Sequence, residues 1–200
     1  MGLSAKRQQI IDCMQSLIGQ IGFERISVDM LCKEAGVSRG TFYYYFKNKE
    51  EVLVELFYAD QVYTPARMTW ALSAPTIWER ILRLHCCHPI HVLENGGIEA
   101  LRHRTRHILL AETQDDTKNY QQTIEIISPF ILQAQQAGEI LNMATPLQFN
   151  NVTGTLQRGL ADNWCIRNGE FDLIDKLCEC LETVYCVRED LRGTRPILPK

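Results

Sequence analysis

The stretch Ser27-Val28-Asp29-Met30-Leu31-Cys32-Lys33-Glu34-Ala35-Gly36-Val37-Ser38-Arg39-Gly40-Thr41-Phe42-Tyr43-Tyr44-Tyr45-Phe46 decides the fold. Ser27 is placed to cap a short helix. Its apolar residues Val28, Leu31, Cys32 and Ala35 fall at i, i+3, i+4 and i+7, one face of a 3.6-residue period. Gly36 can take the left-handed conformation that ends a helix. After only Val37, a second capping serine, Ser38, opens another helix with Phe42, Tyr45 and Phe46 on its buried side. Two short helices joined by a tight glycine-containing turn form a helix-turn-helix, whose second helix enters the major groove of DNA.

Working outward, Ile10, Ile11, Met14, Leu17, Ile18 and Ile21 form one apolar stripe, which predicts a helix over about 5–21 ended by Gly22. On the other side, Asn48-Lys49-Glu50-Glu51 has the spacing of a capping box, with Asn in place of Ser or Thr. It predicts a helix over about 49–63 carrying Val52, Leu53, Leu56 and Phe57. Beyond Pro65, helical spacing recurs near 66–73, 76–88, 97–113, 117–138, 146–167 and 172–189. The breaks fall at Pro75, Pro89, Gly96-Gly97, Gln114-Asp115-Asp116, Gly138 and Gly169. No strand-like alternation of useful length occurs. The fold class is therefore all-α, with about nine or ten helices. The expected division is a three-helix helix-turn-helix domain over 1–49, a larger helical domain over 50–190 with 50–63 as connecting helix, and a loose tail over 191–200.

Composition narrows the function. The chain has 200 residues, 46% hydrophobic and 22% charged, with a net charge of −3. These values exclude disordered, collagen-like and low-complexity chains. No stretch approaches the roughly 18 apolar residues of a membrane span. The near-neutral balance argues against coating nucleic acid by bulk charge, so DNA binding needs a local patch. Residues 1–49 supply one: seven Lys/Arg against four Asp/Glu give +3, which leaves −6 for residues 50–200. The N-terminus does not lead into a signal-peptide core, because Gln8, Gln9, Asp12 and Gln15 interrupt the apolar residues. The expected compartment is thus the reducing cytoplasm, where the eight cysteines stay free.

On the second helix, Ser38, Arg39, Gly40, Thr41, Tyr43 and Tyr44 occupy the face left over once Phe42, Tyr45 and Phe46 are buried. Gly40 lets the backbone approach DNA closely. Arg39 is the candidate for base readout, since a guanidinium matches guanine O6 and N7. Ser27, Thr41, Tyr43, Tyr44, Lys47 and Lys49 are the candidate phosphate contacts.

The run Gly22-Phe23, Ser27-Val28, Leu31-Cys32 and Ala35 through Glu50, followed by Leu53, closely resembles the DNA-binding domain of TetR-family transcriptional regulators over residues 8–57. Cys32 stands where that family usually has Ala. The resemblance implies a homodimeric repressor that binds a palindromic double-stranded operator and is released by a small-molecule effector. It also implies dimerisation through the last two long helices, about 146–167 and 172–189. Gly159, Asn163, Trp164, Phe171, Asp172 and Leu173 resemble the C-terminal region of the multidrug-efflux repressor branch.

His85, Cys86, His88 and His91 are candidate metal ligands. The plainer reading is a helix end with buried cysteines and solvated histidines. Cys165, Cys178, Cys180 and Cys186 fit packing of the terminal helix pair. The basic run 102–107 fits a solvated face with one or two residues paired to acids. Trp70, Trp78, Tyr120, Phe130 and Trp164 are candidate lining residues of an effector pocket, with ordinary core as the alternative for each. There is no Gly-rich phosphate loop, nucleophile elbow or His-Glu-x-x-His, so the chain is read as a regulator rather than an enzyme, with no cofactor. The rival functions are a metal- or thiol-responsive sensor on the same scaffold, and a DNA-binding structural protein acting away from promoters.

Overall fold

The computed structural model describes residues 3–57, 62–110 and 117–198, without the side chains of 3, 4, 107, 108 and 117–120. Among these residues the chain forms ten α-helices, and the only strand-like pairing is an antiparallel bridge between Ile140 and Val187. The helices are α1 Leu3–Ile21, α2 Val28–Glu34, α3 Arg39–Tyr45, α4 Lys49–Leu56, α5 Pro65–Leu72, α6 Ile77–Glu94, α7 Gly97–Leu110, α8 Thr117–Gln136, α9 Pro146–Ile166 and α10 Leu173–Tyr185. Two 3-10 turns, Phe23–Arg25 and Glu189–Leu191, complete the set.

The chain divides into two compact units. The first comprises residues 1–61 and 91–113, a different cut from the expected boundary at 49. In it α1 packs on α2 and α4, α2 on α3, and α4 on α7. The apolar stripe of α1 is buried through Ile10, Ile11, Met14, Leu17 and Ile18, and Phe42, Phe46, Val52 and Leu53 of the same unit are buried too. Burial of such side chains, at about 1.5–3 kcal/mol each, is what holds helices this short. Residues 91–113 belong here because α7 turns Ala100 and Leu101 inward, completely buried, against α4.

The second unit comprises residues 62–90 and 114–200. α9 packs on both α8 and α10. α10 shows the strongest amphipathic pattern: Leu173, Ile174, Leu177, Cys178, Leu181 and Tyr185 are buried, and Asp172 caps its start by accepting from the Asp175 amide at 2.8 Å. Tyr185 centres the core. Its ring stacks on Phe149 at 4.4 Å and lies 5.5 Å from Trp78.

Several boundaries differ from expectation. α6 runs through Pro89 instead of stopping at 88. The proline deletes one rung of the hydrogen-bond ladder, but buried Ile81, Leu82, Ile90 and Val92 on both sides keep the helix docked. α4 is described only as far as Leu56; 58–61 and 111–116, onto which the expected connecting helix and the end of the 97–113 helix extend, lie outside the described residues. α10 ends at Tyr185, where Cys186 takes a left-handed cap conformation (φ 50°). The expected loose tail is tethered: Arg195 pairs with Asp175 and Glu182, and the Ile197 carbonyl accepts from Trp70 Nε1 at 2.8 Å.

Candidate nucleic-acid interface

The α2–α3 turn is built by its own backbone. Gly36, at φ 59°, lets its N–H reach the Lys33 carbonyl at 3.3 Å while Val37 N–H reaches the Cys32 carbonyl at 2.9 Å. This is the paired bonding of a Schellman C-cap, and the left-handed φ is why glycine stands there. Ser27 Oγ accepts from the Met30 amide at 3.2 Å to start α2. Ser38 Oγ accepts from the Thr41 amide at 3.0 Å to start α3, and also shares a hydrogen bond of 2.9 Å with Thr41 Oγ1.

Phe42 and Phe46 anchor α3 to the core, Phe46 also lying 5.6 Å beneath the Arg7 guanidinium. What remains outward is Ser38, Arg39, Gly40, Tyr43 and Tyr44, with Thr41 half-buried. Tyr43 is 52% and Tyr44 70% exposed, unusual for aromatic side chains with no partner helix over them. Tyr45 is half-buried, and its hydroxyl is enclosed without a hydrogen-bond partner among the described residues.

Arg39 Nε lies 3.1 Å from Asp29 Oδ1, with both side chains about two-thirds exposed. A pair this open is worth at most about 1 kcal/mol, so it parks the guanidinium on the α3 face without locking it. Lys47 is exposed; its amide donates to Glu51 Oε2 at 2.7 Å, while its ammonium stands 3.7 Å from Glu51 Oε1.

Lys49 is placed otherwise than a phosphate contact would be. Its ammonium donates to the carbonyls of Phe23 (3.2 Å), Glu24 (3.4 Å) and Ile26 (2.9 Å) and lies 4.5 Å from the centre of the Phe23 ring. An ammonium has three donors, and all three are engaged. Lys49 thus caps the carbonyls of the 3-10 turn that leads into α2. The sequence offered no signal for this, because the acceptors are backbone atoms 23–26 positions away.

The basic run on α7 also does structural work. His103 Nε2 is 2.7 Å from Glu24 Oε1 and its ring lies 4.8 Å from Phe23, while Arg104 stacks over Phe57 at 5.4 Å.

The four candidate metal ligands are not brought together. His85 is buried in the second unit, with Nε2 2.8 Å from the Tyr185 hydroxyl and Nδ1 2.8 Å from Gln157 Nε2. Burial pushes its pKa down from 6.5 to about 4, so the ring is neutral at pH 7. Cys86 Sγ faces Cys178 Sγ at 3.9 Å. His91, in the first unit, approaches the Leu56 carbonyl with Nε2 at 2.6 Å and Asn95 Nδ2 with Nδ1 at 3.1 Å. His88 is half-buried. Because α6 continues through Pro89, six residues at about 100° each put His85 and His91 about 120° apart around one helix. Among the described residues no three His, Cys, Asp or Glu side chains are grouped to hold a metal ion.

The candidate pocket residues are dispersed within the second unit. Trp78 is fully buried core, Trp70 hydrogen-bonds Ile197, Phe130 packs half-buried on the core, and Trp164 Nε1 donates to the Phe171 carbonyl at 3.0 Å. The Tyr120 side chain lies outside the described residues. A narrow crevice is instead lined by His85, Ile127, Ile131, Asn150, Thr153 and Tyr185. Asn150 Nδ2 is enclosed with no hydrogen-bond partner among the described residues. Sequence reading missed Asn150 and Thr153, whose polar side chains break no apolar stripe on α9.

The sequence profile of the tetR family of bacterial regulatory proteins matches residues 10–56, which run from α1 through α4. Residues 10–56 are thus similar to the DNA-binding region of TetR-family regulators. The Bacillus subtilis fatty acid metabolism regulator protein is 46% identical over 52 residues, 26% of this chain and 27% of the relative. The Shigella flexneri regulator AcrR is 31% identical over 107 residues, 48% of this chain and 44% of AcrR. The chain therefore spans less than half the length of either of these curated relatives. Over nearly the whole chain the fold matches Thermus thermophilus FadR, a TetR-family transcriptional repressor solved with lauroyl-CoA. The TM-score is 0.67 at 18% identity, covering 97% of this chain and 99% of that one. No helix among the described residues is long and apolar enough to cross a membrane.

Proposed function

We propose that this chain is a sequence-specific DNA-binding transcriptional regulator, a repressor that grips a palindromic operator as a two-fold dimer. The observation that carries the reading is α3 itself. Its apolar side is anchored by Phe42 and Phe46, and its outward side presents Arg39, Gly40, Thr41, Tyr43 and Tyr44. Ser27, Thr41, Tyr43, Tyr44 and Lys47 are assigned to phosphates and Arg39 to a base edge. In a dimer the two α3 helices must sit about 34–36 Å apart to enter successive major grooves.

Release by a small molecule is supported by the ligand-bound state of the Thermus relative and by the fatty-acid regulator among the relatives. An effector that binds better to a state with the wrong helix separation lowers operator affinity by its differential affinity and no more. Dimerisation is assigned to α9 and α10; Leu147, Val152 and Ile166 of α9 are more than half exposed, leaving apolar surface for a second copy.

The test is selection of bound duplexes from a random pool, followed by anisotropy titration. A two-fold symmetric consensus, with half-site centres one helical turn or a whole multiple apart, is expected. Binding indifferent to sequence would overturn base readout, and an asymmetric single site would overturn the dimer. Acyl-CoA thioesters and uncharged apolar compounds then form the first effector panel.

A further inference from the structure

Three cysteines of the second unit are fully buried, and two of them meet. Cys86 on α6 and Cys178 on α10 place their sulfurs 3.9 Å apart, each with no solvent exposure. They are 92 residues apart in sequence, so only the packing of α6 on α10 joins them. The neighbouring cysteines are turned elsewhere. Cys87 donates its S–H to the Arg83 carbonyl at 3.4 Å, about 100° around α6 from Cys86. Cys180 lies about 200° around α10 from Cys178.

Arg195 stands over this part of α10, bonded to Asp175 and Glu182, which lie one turn to either side of Cys178. Cys178 is held below the ordinary thiol pKa, first by the hydrogen bond from Cys86, with Arg195 adding to it against desolvation. That same hydrogen bond, with burial, holds Cys86 well above. The pair is thus polarised into a nucleophile and a proton donor.

We propose that Cys86 and Cys178 are an oxidation site, converted by a small peroxide into a disulfide that ties α6 to α10. The Cys178 thiol gives up its proton as its sulfur attacks one peroxide oxygen; the S–O bond forms, the O–O bond breaks, and the departing hydroxide takes up that proton to leave as water. The Cys86 sulfur then attacks the resulting sulfenic acid at Cys178. The S–S bond forms, the S–O bond breaks, and the hydroxide takes the Cys86 proton to leave as a second water. Two thiols lose two electrons and hydrogen peroxide is reduced to two waters. Closing from 3.9 Å to a bond of about 2.05 Å asks for roughly 2 Å of combined sulfur movement. A water-sized oxidant reaches the pair during local opening of the unit. The inference is independent of the DNA-binding reading, since it concerns only thiol chemistry inside the second unit.

The test is treatment of the reduced full-length protein with hydrogen peroxide, followed by thiol counting in denaturant and non-reducing peptide mapping. Two of the eight thiols are expected to disappear within the monomer and to return with dithiothreitol. Fragmentation of the cross-linked peptide in the wild-type protein is expected to place the bond at Cys86 and Cys178. Cys86→Ala and Cys178→Ala abolish it, while Cys87→Ala and Cys186→Ala keep it. The wild-type map decides the matter even where a buried variant fails to fold. A bond mapped to Cys87 or Cys180 overturns the proposal. So does retention of all buried thiols under conditions that oxidise the exposed Cys186.

Discussion

Lys49 Nζ lies 2.9 Å from the carbonyl oxygen of Ile26, the residue immediately before the Ser27 cap of α2. One cation gathers the carbonyl ends of the 3-10 turn and, from the first position of α4, fixes where the helix-turn-helix begins. Lys49→Ala is expected to lower stability by about 1–3 kcal/mol, because the partly buried Phe23 and Ile26 carbonyls lose a charged donor. Urea unfolding measures this. The salt dependence of operator binding is expected to keep its slope; a shallower slope would return Lys49 to phosphate contact.

Arg39 faces the opposite expectation. Arg39→Ala is expected to weaken operator binding by about 1–3 kcal/mol and relax preference at a single base pair, with stability nearly unchanged. Asp29→Ala removes the exposed partner and is expected to leave binding equal or tighter. Anisotropy titration against single-position operator variants checks both, and an unchanged sequence preference in Arg39→Ala would remove the residue from base readout.

The neutral His85 gives the second unit an acid sensitivity. Its folded pKa of about 4 lies below its ordinary 6.5, so the unfolded chain takes up the proton first as pH falls. The stability tied to the neutral ring is therefore complete above about pH 6.5 and lost as pH drops toward 4, on the order of 3 kcal/mol in all. Denaturant unfolding between pH 7 and 4.5 measures the slope. In His85→Gln that contribution to the slope is expected to vanish, whatever the variant's stability at pH 7.

Gly96 joins α6 to α7 with φ +90°, and a Cβ built there would stand 2.5 Å from Ile18 Cγ2 and 2.9 Å from Ala100 Cβ. Gly96→Ala combines backbone strain with a clash against α1. It is expected to cost about 2–4 kcal/mol, read as a drop in the thermal midpoint. Gly19→Ala is the control, since a Cβ there meets nothing within 4 Å.

Local pattern carried most of the helices and the whole of the α2–α3 turn. Ser27, Gly36, Ser38 and Asn48 announce themselves because caps and left-handed turns are satisfied by atoms within four residues, and sequence displays such neighbours directly. The same holds for the outward face of α3, which is whatever Phe42 and Phe46 leave behind.

Long-range geometry decided the rest. Lys49 looks like a free cation beside a DNA-binding helix until the carbonyls of residues 23–26 arrive beneath it. His85 and His91 look like paired ligands until α6 passes through Pro89 and turns them apart. Cys86 looks like a ligand beside His85 and His88 until α10 brings Cys178 within 3.9 Å. The sequence by itself determined an all-α chain and a helix-turn-helix, because helix periodicity and capping are local. Which cation is free, which histidine is neutral and which thiols meet depended on atoms up to a hundred residues away, and only tertiary packing brings those together.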